Sequence, residues 1–280
     1  DKVVTYMLDA FREGITPNPD VMCNQEIKFK VFRDAALENG AEAIATGHYA
    51  HAEDGHLYKA KDLNKDQTYF LYRMSREAVK STIFPLGSIL KTKTRELAKK
   101  ADLPPADKKE SMGICFVGKV GIKDFLKEYI EPQEKGPIIN QHGAVIGEHD
   151  GAIFYTIGQR SGLGVGGGLP YYVYAKDMVL NTVYVTNDIS DENLWTDTLI
   201  LVSPHWINKP DGNERLYVRN RHRADMVSVR SLEENNGILI LTLNEKVRAI
   251  TPGQSSVIYT EKECLGGGIV SGVKKPSDTV

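Results

Sequence analysis

Cysteine is scarce in this sequence: Cys23, Cys115 and Cys264 are the three in 280 residues. None stands in a Cys-x-x-Cys pair and no His-x-x-x-His element accompanies them, so no metal site is expected. Three scattered thiols in a long chain do not make a secreted disulfide framework either. No apolar run approaches the length of a membrane span, no signal peptide opens the chain, and no repeat or low-complexity tract occurs. Charge of one sign is also lacking: 35 Lys and Arg face 37 Asp and Glu, a formal net charge of −2. That balance argues against a general polyanion binder but leaves room for a local basic surface. The expected setting is the reducing cytoplasm, with neither a membrane nor DNA as a partner.

What is present divides along the chain, and the length suits two or three domains. The amphipathic stretch Asn24–Phe32 predicts a helix over 24–39, ended by Asn39-Gly40. Ala41–Tyr49 reads as a short strand running into a turn at Gly47. Ligands gather at the carboxyl ends of strands in open α/β sheets, which places Gly47 and His48 where a site is expected. Lys65-Asp66-Gln67 is a polar triplet opening an aromatic segment. Helices are expected over 92–101, with Leu97 and Ala98 on one face and bases on the other, and over 122–130.

After Lys135 the period changes from helical to alternating. Short strands are expected at 137–140, 143–147 and 152–157, with a hairpin pair at 171–174 and 182–185. Strands at 226–230 and 238–243 flank Asn236-Gly237, and 255–259 and 268–273 complete a barrel-like domain. The glycine clusters at 162–168 and 266–268 read as flexible loops, since neither follows a strand and opens a helix as a phosphate loop does. The plan is an α/β catalytic portion over 1–119, a small β-rich central domain over 120–194 and a C-terminal β-barrel over 195–280.

Two cysteines sit in sequences that look built around a thiol. Cys23 follows Asp20 by three residues and precedes the amphipathic stretch, so the positive end of a helix dipole favours its thiolate while the Asp20 charge opposes it. Cys115 lies among Gly113, Ile114, Phe116 and Gly118, where backbone can approach closely and water can be kept out. Cys264 has no polar neighbour in sequence and reads as a buried small hydrophobe.

These segments carry a resemblance that runs through the whole chain. Thr16-Pro17-Asn18-Pro19-Asp20, Cys23-Asn24, Ala45-Thr46-Gly47-His48-Tyr49, Lys65-Asp66-Gln67, Gly113-Ile114-Cys115-Phe116, Thr156-Ile157-Gly158-Gln159-Arg160 and Thr251-Pro252-Gly253-Gln254 resemble, in that order, the tRNA-specific 2-thiouridylase family (MnmA, also called TrmU). The resemblance implies a PP-loop ATPase-like catalytic fold of the adenine nucleotide alpha-hydrolase type. The family's Ser-Gly-Gly-x-Asp-Ser type segment, which holds ATP phosphates, occurs nowhere in residues 1–280. The chain opens on Asp1 rather than Met and is expected to be an N-terminally incomplete family member.

The reaction the resemblance implies is ATP- and Mg²⁺-dependent adenylation of the wobble uridine at C2, then sulfur transfer from a cysteine persulfide to give 2-thiouridine. Cys115 would carry the persulfide sulfur, Cys23 would be its partner thiol, and a Cys23–Cys115 disulfide would alternate with the reduced pair. Asp20 would transfer a proton, Asn18, Pro19 and Asp20 would line the target base, and Gly47 would contact the adenylate. His48, Lys65, Asp66, Gln67, Arg221, His222 and Gln254 would contact tRNA. The implied partners are tRNAs for Lys, Glu and Gln and a sulfur-relay protein or cysteine desulfurase. Two alternatives stay open: a tRNA-binding module without catalysis, and an ATP-dependent amidating or adenylating enzyme on the same fold. The latter has no need of two separated cysteines or of a barrel tail.

Overall fold

The computed structural model describes residues 2–107, 121–166, 168 and 170–273, so Cys115 and its neighbours lie outside the described residues. Helix α1 (Lys2–Arg12) buries Val3, Met7, Leu8 and Phe11, a spacing that gathers them on one stripe. It ends at Gly14, φ 75°, where Gly14 N donates to Phe11 O and Ile15 N donates to Ala10 O. A left-handed residue with this bond pair satisfies the last carbonyls of a helix.

The next helix starts five residues earlier than the sequence pattern indicates. Helix α2 (Pro19–Cys23) continues through a π-helical stretch (Asn24–Phe32) into α3 (Arg33–Glu38). Pro19 opens it because the first helical position needs no N–H and proline presets its φ. Asp20 occupies the first turn, where the dipole favours a carboxylate. Cys23 therefore lies beyond the first turn, where the dipole's influence is concentrated, rather than at the helix mouth. This corrects the expectation drawn from Asn24 as the first residue.

Strand β1 (Ile44–Ala45) pairs in parallel with β4 (Thr82–Ile83). Between them lie the hairpin β2 (Ala50–Glu53) and β3 (His56–Lys59), a 3₁₀ turn at Thr68–Phe70, and α4 (Arg76–Lys80). Ser75 caps α4 by accepting from Ala78 N. Helix α5 (Lys91–Lys100) buries none of its residues. Of the apolar face read from Leu97 and Ala98, Leu97 is 47% exposed and Ala98 is half-buried. Helix α6 (Ile122–Tyr129) joins α1 in one apolar cluster with Met7, Phe11, Leu126, Ile130 and Ile153.

The central unit is a sheet of β5 (Gly136–Asn140), β6 (Val145–His149), β7 (Tyr172–Asp177) and β8 (Thr182–Thr186) in the order β6-β5-β8-β7. The strand expected at 152–157 is instead a 3₁₀ turn at Ala152–Phe154. Gly151 at φ 121° turns the chain, Tyr155 N donates to Ala152 O, and Ala152, Ile153 and Tyr155 are buried. The apolar run is thus hidden by dipping into the core, not by pairing.

The last unit is a closed barrel of β9 (Trp195–Trp206), β10 (Tyr217–Arg219), β11 (Val227–Asn235), β12 (Ile238–Arg248), β13 (Ser255–Tyr259) and β14 (Cys264–Val273), ordered β10-β11-β12-β9-β14-β13. Leu199, Leu201, Leu239, Leu241 and Leu243 alternate into its interior. Asn236 and Gly237 both have positive φ, 50° and 75°, as a tight hairpin turn between twisted strands requires. Gly266–Gly268, expected to be a loop, lies inside β14. A Cβ on Gly266 would stand 2.2 Å from His205 O and one on Gly267 2.3 Å from Ser256 O. Glycine here permits close strand packing.

All five residues of β13 are buried, because one face lines the barrel and the other meets the α/β portion. Val257, Tyr259, Cys264 and Ile207 pack there against Leu57, Tyr69, Leu71 and Tyr72 in one cluster. Inside this seam the Arg219 guanidinium donates to the Asp66 carboxylate at 3.0 Å, with the Asp66 side chain wholly buried. Arg219→Ala leaves that carboxylate buried without its cation and should cost about 3–5 kcal/mol of stability in urea unfolding. Breaking the exposed Arg12–Asp9 pair by Arg12→Ala should cost less than about 1 kcal/mol. Equal effects would show that the buried pair does not join the units.

Candidate functional site

The turn after α1 and the start of α2 form the centre of the site. Asn18 occupies the N-cap position of α2 yet makes no side-chain cap bond. Its Nδ2 donates to the Tyr69 hydroxyl at 3.3 Å, and that hydroxyl donates to Ser255 O at 2.9 Å. Tyr69 is 1% exposed, and burial holds its phenol above the ordinary range, so it stays protonated. The barrel backbone thus sets the hydroxyl and the hydroxyl sets the Asn18 amide. Asp20 and Cys23 are three residues apart on the helix and so share a face. Cys23 is a buried thiol. Asn24 beside it is buried, with Nδ2 donating to Phe70 O at 3.1 Å and Oδ1 lacking a hydrogen-bond partner. Phe70 stands edge-on to Tyr69 and 4.6 Å from the His222 ring.

A barrel loop holds the approach to Asn18. Gln254 Nε2 donates to Thr16 O and to Pro17 O, each at 2.9 Å, and Thr16 N donates to Pro252 O. Gly253, φ 89°, lies so close that a Cβ would come within 2.2 Å of Ile15 Cγ2. The central unit joins through Thr16 Oγ1 and Thr156 Oγ1, 3.1 Å apart, and through Thr251 Oγ1 donating to Ile157 O. A cavity of about 360 Å³ opens at this three-way junction, lined by Ile15, Ile157, Lys176, Trp195 and Thr251 among others. Lys176 Nζ donates to Tyr155 O, and burial lowers its amine to about 8.

The remaining residues singled out in sequence spread over the faces around this centre. Gly47 is exposed, with open space where a side chain would lie. His48 lies between the rings of Phe29 and Phe84, and its Nδ1 is 3.0 Å from Thr46 Oγ1. Burial, assisted by the Lys28 charge, lowers its pKa to about 4, so the imidazole is neutral near pH 7. Lys65 is half-buried, and Gln67 Oε1 accepts from Tyr49 N at 2.9 Å. Asp66, expected at an RNA-facing surface, has its carboxylate inside the seam, accepting from Ala60 N, Thr68 Oγ1 and Arg219. Arg221 donates to Ala249 O at 2.7 Å. His222 Nδ1 is buried without a hydrogen-bond partner. Burial comes first among the causes lowering the His222 pKa, with the Arg223 charge adding to it. Cys264, read as structural, donates to Thr68 O from the seam, and burial pushes its thiol well up.

Tyr69, Ser255 and Asn24 were missed by sequence reasoning. Only the aromatic run after Lys65-Asp66-Gln67 hinted at the first. Among the described residues no group of three or more His, Cys, Asp or Glu is placed to hold a metal, and no helix is long and apolar enough to cross a membrane.

Comparison with known proteins matches three family models in succession. They are described as a tRNA methyl transferase HUP domain over residues 1–119, a tRNA methyl transferase PRC-barrel domain over 123–187 and an aminomethyltransferase beta-barrel domain over 196–270. Among similar proteins, the tRNA-specific 2-thiouridylase MnmA of Listeria monocytogenes is 44% identical over 282 residues, covering 98% of this chain and 76% of the relative. The protein of the same name from Levilactobacillus brevis is 44% identical over 284 residues, covering 96% and 75%. That of Staphylococcus saprophyticus is 44% identical over 285 residues, covering 99% and 77%.

Two measurements test this geometry. Since folding lowers the His48 pKa from 6.5 to about 4, the unfolded state takes up the proton first as pH falls. The stability this group contributes is therefore full above pH 6.5 and is lost on the way down to about pH 4. The imidazole signal that His48→Asn removes should titrate near pH 4; a midpoint near 6.5 contradicts the buried, neutral ring. Gln254→Ala removes both bonds to Thr16 and Pro17, and should speed amide exchange over residues 15–21 about 5- to 10-fold, as for about 1 kcal/mol of local stability. Unchanged exchange there would show that the loop is held by other contacts.

Proposed function

This chain belongs to the tRNA-specific 2-thiouridylase family, and on that ground we propose that it 2-thiolates uridine in tRNA, with the Asn18–Cys23 junction as the seat of the chemistry. The observation that carries this reading is the convergence of Asn18, Asp20 and the buried Cys23 on a loop fixed by the barrel through Tyr69 and Gln254. Chemistry on a stacked anticodon base requires the base to be extruded into a pocket. Asn18 and Pro19 would line that pocket, Tyr69 keeping the Asn18 amide in one orientation. The target is the wobble uridine of tRNAs for Lys, Glu and Gln.

The co-substrate ATP, with Mg²⁺, supplies activation at C2. Gly47 borders open space that suits an adenylate, but no Ser-Gly-Gly-x-Asp-Ser segment for the phosphates occurs in residues 1–280. The residues present do not make a complete nucleotide site, and the steps assigned to them concern sulfur alone.

Cys115 carries the incoming sulfur as a persulfide delivered by a relay protein or cysteine desulfurase. The Cys23 thiolate attacks the inner persulfide sulfur, the S–S bond breaks, and a Cys23–Cys115 disulfide forms as hydrosulfide departs. That hydrosulfide attacks activated C2 and AMP departs; alternatively the outer persulfide sulfur of Cys115 attacks C2, AMP departs, and the Cys23 thiolate then breaks the S–S bond, leaving 2-thiouridine and the same disulfide. A cellular reductant reopens the disulfide with two electrons and two protons, a cycle suited to a cytoplasmic enzyme. Thiolate is the nucleophile in either form, and Asp20 moves the proton. His48, being neutral, offers RNA a hydrogen bond or a ring face rather than a charge. Lys65, Gln67, Arg221, His222 and Gln254 complete the proposed contacts. A second reading is a tRNA-binding module without catalysis, in which the buried Cys23 is a structural thiol.

The test is a thiolation assay with protein spanning the full length of its relatives, unmodified tRNA, ATP, Mg²⁺ and sulfide, reading 2-thiouridine by nucleoside mass spectrometry. Parent protein should form product, Cys23→Ser and Cys115→Ser should form none, and Asp20→Asn should slow formation about 10²-fold. Product surviving both cysteine changes would overturn the two-thiol reading. Tight tRNA binding with no product from the parent would establish the binding module.

A further inference from the structure

Helix α5 is at odds with how helices are normally stabilised. Most helical stability in a folded protein comes from burying an apolar face, yet α5 buries no residue over its ten positions. Its sequence, Lys-Thr-Lys-Thr-Arg-Glu-Leu-Ala-Lys-Lys, holds five bases and one acid. The whole chain is net −2, so the other 270 residues are net −6 and the basic charge is concentrated here. Lys93, Arg95, Lys99 and Lys100 are exposed. The acid, Glu96, pairs with Lys93 at 3.0 Å.

The helix is nevertheless fixed at its first turn. Lys91 N donates to Asp62 Oδ2 at 2.9 Å, Tyr49 Oη donates to Thr94 Oγ1 at 2.9 Å, and Lys91 Nζ lies over the Tyr49 ring at 5.3 Å. Tyr49 follows His48 in the chain, and its N–H donates to Gln67. Through this one tyrosine, α5 is attached to two segments proposed to contact tRNA.

We propose that the exposed face of α5, carrying Lys93, Arg95, Lys99 and Lys100, is a docking surface for the sugar-phosphate backbone of tRNA, continuous with His48 and Gln67. The proposal rests on the tRNA-modifying reading above. Phosphate contacts need charge and little shape, which this face supplies. A protein partner would need a buried apolar centre, and Leu97 is the helix's one large apolar side chain. Concentrated positive charge on an otherwise acidic protein also orients an approaching polyanion.

The test uses protein spanning the full length of its relatives and unmodified tRNA, with affinity measured by filter binding across a series of KCl concentrations. Each lost phosphate contact lowers the slope of log K against log salt by about 0.7–0.9. The combined change K93A/R95A/K99A/K100A should weaken binding at least about 10-fold near 100 mM KCl and reduce the slope by about 2.8–3.6. Alanine is the strongest helix former and no α5 residue is buried, so circular dichroism and the thermal midpoint should stay at parent values. The charge-keeping variant K93R/K99R/K100R should bind with the parent's slope. Parent-level affinity and slope in the alanine variant would overturn the proposal and leave the thiolation reading standing. Failure of the parent itself to bind tRNA would overturn both.

Discussion

The Asp66 carboxylate is the constraint around which the units of this protein are arranged. A fully buried carboxylate is tolerable only when its lone pairs are filled and its charge compensated. Asp66 meets both conditions by accepting from Ala60 N, Thr68 Oγ1 and Arg219. Two of these donors belong to the α/β portion and the third to barrel strand β10. Arg219 also stacks over Tyr259 of β13, so the seam forms in one register. In the turn Gln67-Thr68-Tyr69, Thr68 supports the ion pair and Tyr69 joins Ser255 to Asn18. One short segment therefore ties the seam to the site.

From that seam the barrel acts as the backing of the site. Its 249–255 loop reaches the segment before Asn18 through Gln254 and Gly253, and the central unit through Thr251. The Ser255 carbonyl fixes Tyr69 and thereby Asn18. A loop held from three sides loses little further freedom when a ligand arrives, which is the physical value of preorganisation. Burial also settles the electrical character of the surroundings: His48 is neutral, Asp66 is compensated within the seam, and positive charge is left on α5.

Much of the architecture was legible because it rests on local rules. The change from helical to alternating period after Lys135 marks the passage to β structure, and Asn236-Gly237 marks a tight hairpin because both positions take positive φ. Where the reading failed, either a local start signal was passed over or a nonlocal contact had overridden a local pattern. The α2 start moved back to Pro19, which the apolar periodicity beginning near Ile27 did not reach. Ala152–Ile157 has a strand's composition but hides its apolar groups by turning into the core. Gly266–Gly268 looks like a loop, yet its lack of side chains is what lets β14 pass close to β9 and β13.

The order of residues was enough to establish the classes of element, the family to which the chain belongs and the candidate residues Asn18, Asp20, Cys23, Gly47 and His48. Each of these is written in short contiguous segments whose meaning does not depend on distant neighbours. Folding in three dimensions was needed to place Asp66 inside a seam, to set Gln254 and Tyr69 against the Asn18 loop, and to turn the charge of α5 to solvent. Those roles depend on burial and on partners up to 238 positions away in the chain, and burial is a property of the packed chain rather than of any segment of it.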